Sequence, residues 1–430
     1  MPDATSETIP ADGRGHFFAV EAPVWARVCA RGSMNEAVAY LVIARGGNFG
    51  TRTSAWSVDA IERRTGISRP RAKLAVESLV GTGLLQRVRA GSKPLYRFAT
   101  EQDLATPPKP PAPLLILEQA IINKVAAAGE PVSIPYKGTH ANGWPLGALS
   151  HTRDGLLNAG RLILNSEGKY ALPPEPDSSE PPKPEWIWLP NSLIDGLNDE
   201  VSPIERVRQT QDVPTLRLLI DLYFAQSLAM NGGIHWRQTR HEWERSHVGQ
   251  SGQYNVYGFR EKNRVAWRSA PFVAAQMTGV FEKVEGDGDK PALHDTGWQA
   301  LWDGVRRLED LHLLEFVPHV IDADTDEGEV LHPYAIRTGE RAEQEVGRAA
   351  HLAAHRLLSA QKSEEAHQMG LKLVPVLRHI GNVQLVSLLR LRHRARTAAT
   401  AEWLSNSDDW AAWVDRYQKL GAAEPKAQAG

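Results

Sequence analysis

The chain has 430 residues, with 49 Lys+Arg against 51 Asp+Glu and a formal net charge of −2, which excludes a uniformly basic coat and an acidic solvating chain. Its apolar fraction of 42 % is enough for buried cores, no run approaches the ~20 apolar residues of a membrane helix, and the polar start Met1-Pro-Asp-Ala-Thr-Ser lacks the apolar stretch of a secretory leader. Cys29 is the single cysteine, which excludes an intrachain disulfide, a cysteine-held iron–sulfur cluster and a cysteine-based zinc finger, and places the expectation in a reducing cytoplasm.

Residues before about 15 read as tail. Met34 to Arg45 (MNEAVAYLVIAR) predicts a buried helix, and Ser57 to Thr65 a second, short one capped by Ser57. Gly66-Ile-Ser68 is a tight turn, with Gly66 suited to the positive φ that ends a helix and Ser68 to capping the next. The third helix starts at Arg69-Pro-Arg71, where Pro70 costs no internal hydrogen bond. Its apolar residues Ala72, Ala75, Val76, Leu79 and Val80 follow the amphipathic template. Gly81-Thr-Gly83 ends it, and Leu84–Val88 with Leu95–Phe98 predicts a β-hairpin around residues 90–93.

Proline-rich stretches at 101–113 and 173–185 read as stiff extended linkers. Between them, residues 114–172 repeat the closing pattern: Asp154-Gly-Leu-Leu, then Arg161-Leu-Ile-Leu164, a polar turn, and Lys169-Tyr-Ala-Leu172. It returns again in 186–336. There Thr215–Met230 predicts a first helix, and Trp298, Leu301, Trp302 and Val305 form a helical stripe. Leu313–Val317, the polar turn Asp322–Glu329 and Val330–Ile336 follow. Residues 337–420 are expected to be a helical C-terminal region, and 421–430 a tail with nothing to bury.

Helix, helix, tight turn, helix and hairpin over 16–100 resembles the winged helix-turn-helix family, on the stretch SVDAIERRTGISRPRAKLAVESLVGTGLL. With the two repeats, the expected fold is mainly α with small β-hairpins (α+β): tandem winged helix-turn-helix units at 16–100, 114–172 and 186–336 plus the helical C-terminal region. The resemblance implies that the third helix enters the major groove and the wing meets phosphate or the minor groove.

The near-zero net charge conceals a pattern. Residues 52–97 hold ten bases and three acids, +7. The candidate DNA-binding residues here are Arg63, Arg64, Arg69, Arg71 and Lys73 on the helices, and Arg87, Arg89 and Lys93 on the wing. Arginine suits a bidentate contact with guanine. Residues 235–268 carry +4, with Trp236, Trp243, Tyr254, Tyr257, Phe259 and Trp267 interleaved. Arg237, Arg240, Arg260, Lys262 and Arg264 are DNA-binding candidates there, the aromatics serving either as stacking platforms or as core. Lys372 to Arg396 carries +6 and reads as a basic amphipathic helix, for DNA or for the chain's own acids. Residues 282–345 carry −11, which would repel phosphate and points to a protein partner or a self-contact.

Catalytic signatures are missing. There is no Gly-x-x-x-x-Gly-Lys-[Ser/Thr], Gly-x-Ser-x-Gly or His-Glu-x-x-His. His351 and His355, at i and i+4, read as ordinary surface histidines, and Asp322-Ala-Asp324 as a solvated loop rather than a magnesium site. The resulting expectation is a non-enzymatic, cytoplasmic, duplex-DNA-binding protein without cofactor or metal and without a membrane partner. The tandem arrangement resembles replication initiators of plasmids and other mobile elements. A transcriptional regulator and a protein-docking assembly factor are the alternatives, and homo-oligomerisation stays open.

Overall fold

Strand β1 (Phe17–Glu21) runs directly into helix α1 (Ala22–Ala30), whose Pro23 sits in the first turn where a missing N–H costs nothing. Ser33 caps α2 (Met34–Arg45), its Oγ accepting from Glu36 N at 3.4 Å. α2 is buried continuously from Ala37 to Ala44, as its unbroken apolar run requires. Then come β2 (Gly47–Asn48), β3 (Thr53–Ser54), α3 (Val58–Thr65), α4 (Arg69–Gly81), β4 (Leu85–Arg89) and β5 (Leu95–Phe98). The four strands form an antiparallel sheet in the order β2-β3-β5-β4. α2 packs against α3 and α4, closing a core of Tyr40, Ile61, Ile67, Ala72, Val76 and Leu79.

The computed structural model describes residues 17–91, 93–104, 113–132, 140–141, 144–145, 153, 156, 162–165, 169–172, 184–197, 201–228, 232–236, 238–267, 281–284, 292–323, 328–394 and 407–422. In the middle block these include α5 (Pro113–Ala128) and the two-residue ribbons 140–141 with 144–145 and 163–164 with 170–171. Most of both proline-rich linkers and the tail from 423 onward lie outside the described residues.

Strand β6 (Trp186–Pro190) pairs antiparallel with β1. The ribbon buries Phe18, Val20, Ile187 and Leu189 on one face, and that shared apolar face is what joins segments so far apart in sequence. α6 (Ser192–Asp195), α7 (Pro203–Gln209) and α8 (Val213–Ala225) follow. Residues 186–220 therefore do not open a third unit. They belong to the first of two compact units, which holds the described residues of 1–107, 183–220 and 393–397.

The second compact unit, 108–182, 221–392 and 398–430, overturns the expectation of a mainly α chain with small hairpins. Its strands are β7 (Thr239–Ser251), β8 (Tyr254–Trp267), β9 (Leu314–Ile321), β10 (Val330–Pro333), β11 (Lys372–Leu377) and β12 (Gln384–Leu391). They form a six-stranded antiparallel sheet, β10-β9-β12-β7-β8-β11, curled into a half-barrel. Helix α9 (Thr296–Asp310) precedes β9 and buries Leu301 and Val305 of the predicted stripe, together with Leu308. β9 and β10 do make a hairpin around 322–329, but the other edge of β9 pairs along its length with β12. The pair is thus part of a large sheet and not a wing. Residues 324–327 of the turn lie outside the described residues.

The stretch expected as a basic helix from Lys372 to Arg396 supplies β11 and β12. Leu385 to Leu391 is buried on both faces, and such an unbroken apolar run cannot be told from a buried helix by periodicity. Pro375 is tolerated because β11 is an edge strand. The helices α10 (Arg341–Leu357), α11 (Ala360–Gln368) and α12 (Ser407–Ala422) complete the unit, with α10 packing on β11 and α12. Trp243, Phe259, Tyr334, Val346, Ala350, Leu385 and Tyr417 share its core. Among the described residues, no helix is long and apolar enough to cross a membrane.

Candidate nucleic-acid interface

The α3–α4 step is built by local chemistry. Ser57 Oγ accepts from Asp59 N at 3.3 Å, opening α3. Gly66 closes it at φ +61°, the left-handed conformation that a side chain would strain. Thr65 Oγ1 donates to Ile61 O at 2.6 Å and accepts from Ile67 N at 3.3 Å, bracing the turn from inside. Ser68, expected to cap α4, makes no side-chain cap bond. Glu62 reaches across instead, its Oε1 accepting from Arg69 N at 3.1 Å.

α4 buries Ala72, Ala75, Val76 and Leu79 and turns Arg69, Arg71, Lys73, Leu74 and Glu77 to solvent. Arg69 is ion-paired to Asp59, whereas Arg71 and Lys73 have no side-chain partner among the described residues. Arg63 is exposed and its Nε donates to Asp59 O at 3.3 Å. On β4, Arg87 donates to Glu77 Oε1 at 2.5 Å, which ties the hairpin to the solvent face of α4. That bond raises the Arg87 pKa further, and burial pushes the Tyr96 hydroxyl up against the opposing charge of Arg87. Arg89 Nε donates to Lys93 O at 2.8 Å across the hairpin, leaving the exposed Lys93 ammonium at its tip.

Arg64 departs from its expected role. It is half-buried, with its guanidinium 3.8 Å from the centre of the Trp56 ring and its Nε 3.0 Å from Asp195 Oδ1. Arg45 approaches Trp56 at 5.6 Å and bonds Asp195 at 2.8 Å. One carboxylate, from a segment well over a hundred residues away, thus locks two arginines about one indole. Sequence order holds no signal of that grouping.

In the second unit the basic–aromatic stretch is the long hairpin β7–β8. Trp236, Trp243 and Phe259 are buried, so these aromatics are core and not stacking platforms. Trp243 Nε1 donates to Ser387 Oγ at 3.0 Å. Arg240 is 3 % exposed, beside Trp236 and Glu242, and cannot reach a phosphate while the sheet is intact. Arg260, opposite Glu244, and Lys262 are exposed. Arg264 lies on β8, its side chain outside the described residues, as is Arg237 altogether. In the third basic stretch Arg390 is fully buried and Lys372 Nζ sits 4.1 Å over Trp243, its pKa lowered by burial against the pull of Glu261.

Sequence reasoning also missed an aromatic cavity of about 840 Å³ in the first unit. It opens on the face of the β1–β6 ribbon opposite its buried side. Phe17 meets Trp188 edge-on at 5.1 Å, and Phe49 meets Trp186 at 4.9 Å and Trp188 at 5.2 Å. Arg52 adopts φ +50°, an uncommon conformation for a residue with a side chain. Its guanidinium lies 4.7 Å over Trp186 and bonds Glu21 Oε2 at 3.0 Å.

His351 and His355 are not ordinary surface histidines. Both are partly buried, their Nε2 atoms 3.1 Å apart, with Tyr334 Oη 3.2 Å from His351 Nδ1 and Ser363 Oγ 2.6 Å from His355 Nδ1. Burial, aided by the charge of His355, lowers the His351 pKa to about 4. Among the described residues, no group of three or more His, Cys, Asp or Glu could hold a metal ion, and Asp324 of the Asp322-Ala-Asp324 motif lies outside them. No family model, curated protein or solved structure matches the chain.

Proposed function

We propose that the first unit is a winged helix-turn-helix module that grips duplex DNA, with α4 entering the major groove and the β4–β5 hairpin serving as wing. One observation carries the reading. Arg71 and Lys73 stand exposed in the opening turns of α4, while the hairpin that bears Arg89 and Lys93 is tied to the same helix through Arg87 and Glu77. In support, α2, α3, the Gly66 turn, α4 and the β4–β5 hairpin follow one another in the order on which the resemblance rests. The site is non-catalytic and acts through fixed positive charge. A buried thiol at Cys29 fits the reducing cytoplasm in which we place it.

The tandem arrangement that pointed to a replication initiator loses its third member to the six-stranded sheet. Duplex binding by the first unit is the part of that reading we retain as the proposal. The test is fluorescence anisotropy of the full chain with a labelled random-sequence duplex from 50 to 200 mM salt. About six neutralised phosphates give a log–log slope near −5. Absence of binding at the lowest salt would overturn the proposal and favour protein docking.

A further inference from the structure

We infer that the aromatic cavity of the first unit is a second nucleic-acid site, one that stacks the unpaired bases of single-stranded DNA. It goes beyond the duplex reading and shares with it only the negative charge of the partner.

The cavity is built in advance. Asn48 Oδ1 accepts from Gly50 N at 2.9 Å and from Thr51 N at 3.2 Å, shaping the 47–54 hairpin that presents Phe49. Glu21 is only 5 % exposed; one oxygen holds Arg52 and the other accepts from Glu101 N at 2.9 Å. Arg52 keeps its positive φ under that grip, an observed outlier of the kind that collects at functional sites. Yet Phe49 and Trp188 remain 53 % and 47 % exposed, although burying such rings is what aromatic side chains ordinarily contribute.

The chemistry of the walls selects the occupant. Trp186 already carries a flat cation, Arg52, so a free ammonium ligand would compete with a guanidinium held by its own carboxylate. Phe49 and Trp188 touch each other and still leave about half of their surface open, which a flat, uncharged partner would cover. The Asn48 amide N–H groups and the remaining Arg52 N–H groups at the same mouth are donors that match the acceptor edges of bases, which an aliphatic peptide side chain does not offer. The volume lies within the roughly 300–1,000 Å³ usual for small-ligand sites, room for more than one base. The +7 charge of residues 52–97 in the same unit favours a polyanion. Stacking rings with neighbouring arginines are the way single strands are held without sequence preference.

The test uses the full chain, labelled oligo-dT of about twelve nucleotides, and an abasic strand of the same length and charge. Oligo-dT should bind at least about fivefold more tightly than the abasic strand. Phe49→Ala or Trp188→Ala should abolish that difference while leaving duplex affinity unchanged and lowering the melting temperature by only a few degrees, since each ring is half-exposed and loses only its contacts with neighbouring rings. Equal binding of the two strands overturns the inference, as does a preference for oligo-dT that survives both substitutions. Should the wild-type chain hold oligo-dT but no duplex, the duplex proposal fails and this one stands. Should Arg71→Ala with Lys73→Ala weaken duplex alone while the strands bind alike, the reverse holds.

Discussion

Arg390 and Glu343 face each other in a bidentate pair, NH1 to Oε2 at 2.6 Å and NH2 to Oε1 at 2.7 Å, with neither side chain exposed. Arg390 NH2 also donates to His319 Nε2 at 3.3 Å, and His319 Nδ1 donates to Val317 O at 2.8 Å. Both ring nitrogens are thereby committed as in a neutral imidazole, in keeping with the lowering of the His319 pKa by burial. Burial alone would raise the Glu343 pKa. The charge and hydrogen bonds of Arg390 outweigh it and hold the carboxyl far below the usual range. Glu343→Gln leaves a buried guanidinium uncompensated and should cost about 3–5 kcal/mol in urea denaturation. The double change Glu343→Leu with Arg390→Met should recover much of that loss. The pair's contribution is complete above the ordinary carboxylate pKa of about 4.3 and declines as pH falls below it. A single variant as stable as wild type would refute this account.

The second unit should weaken at mildly acid pH through its histidines. His332 Nδ1 donates to Pro333 O at 2.9 Å, and Tyr417 Oη donates to His332 Nε2 at 2.7 Å, so the neutral ring is fully engaged. Burial lowers the His332 and His351 pKa values to about 4. Between about 6.5 and 4 the unfolded chain binds protons that the folded chain refuses, so stability is full above that window and drops as pH falls through it. For the fully buried His332 the loss is on the order of 3 kcal/mol. His332→Gln keeps an acceptor for Tyr417, and its stability–pH curve should be flatter there. An unchanged slope would place the acid sensitivity elsewhere.

Gly347 lets α10 cross the chain that leaves β10. A Cβ there would lie 2.1 Å from Ala335 O and under 3 Å from two further backbone carbons, which cannot swing aside. Gly347→Ala should destabilise by about 3 kcal/mol or more. At Gly381 a Cβ meets nothing within 4 Å, and alanine should be close to neutral. Similar denaturation midpoints for the two variants would contradict the close approach.

In the first unit Asp59 competes with any phosphate or base for Arg69, since the two are ion-paired at the start of α4. Asp59→Asn should therefore tighten duplex binding several-fold at 50 mM salt, the gain shrinking as salt rises. Arg71→Ala should erode preference among sequences, while Lys93→Ala should weaken all sequences alike and reduce the salt slope by about one. Identical behaviour of the two would refute the division between helix and wing.

Local pattern was enough for α2, α3 and α4, though not for α1, α6 or α7 of the same unit. The i, i+3, i+4 spacing from Ala72 to Leu79, the cap at Ser57 and the left-handed Gly66 act within a few residues, and each is found where spacing predicts it. Charge segregation was equally legible, because it needs only counting. The second unit was not. Its strands β7, β9 and β12 are neighbours in space and more than sixty residues apart in sequence, and burial on both faces of β12 erased the alternation that marks a strand. Tertiary structure alone decided which charges are available. Arg390, Arg240 and Arg64 look like Arg71 in a sequence, yet Glu343, the β7 core and Asp195 with Trp56 engage the first three and leave Arg71 to solvent. The physical reason is that a cation's exposure depends on which distant carboxylate or ring the fold brings beside it, and neither periodicity nor net charge carries that information.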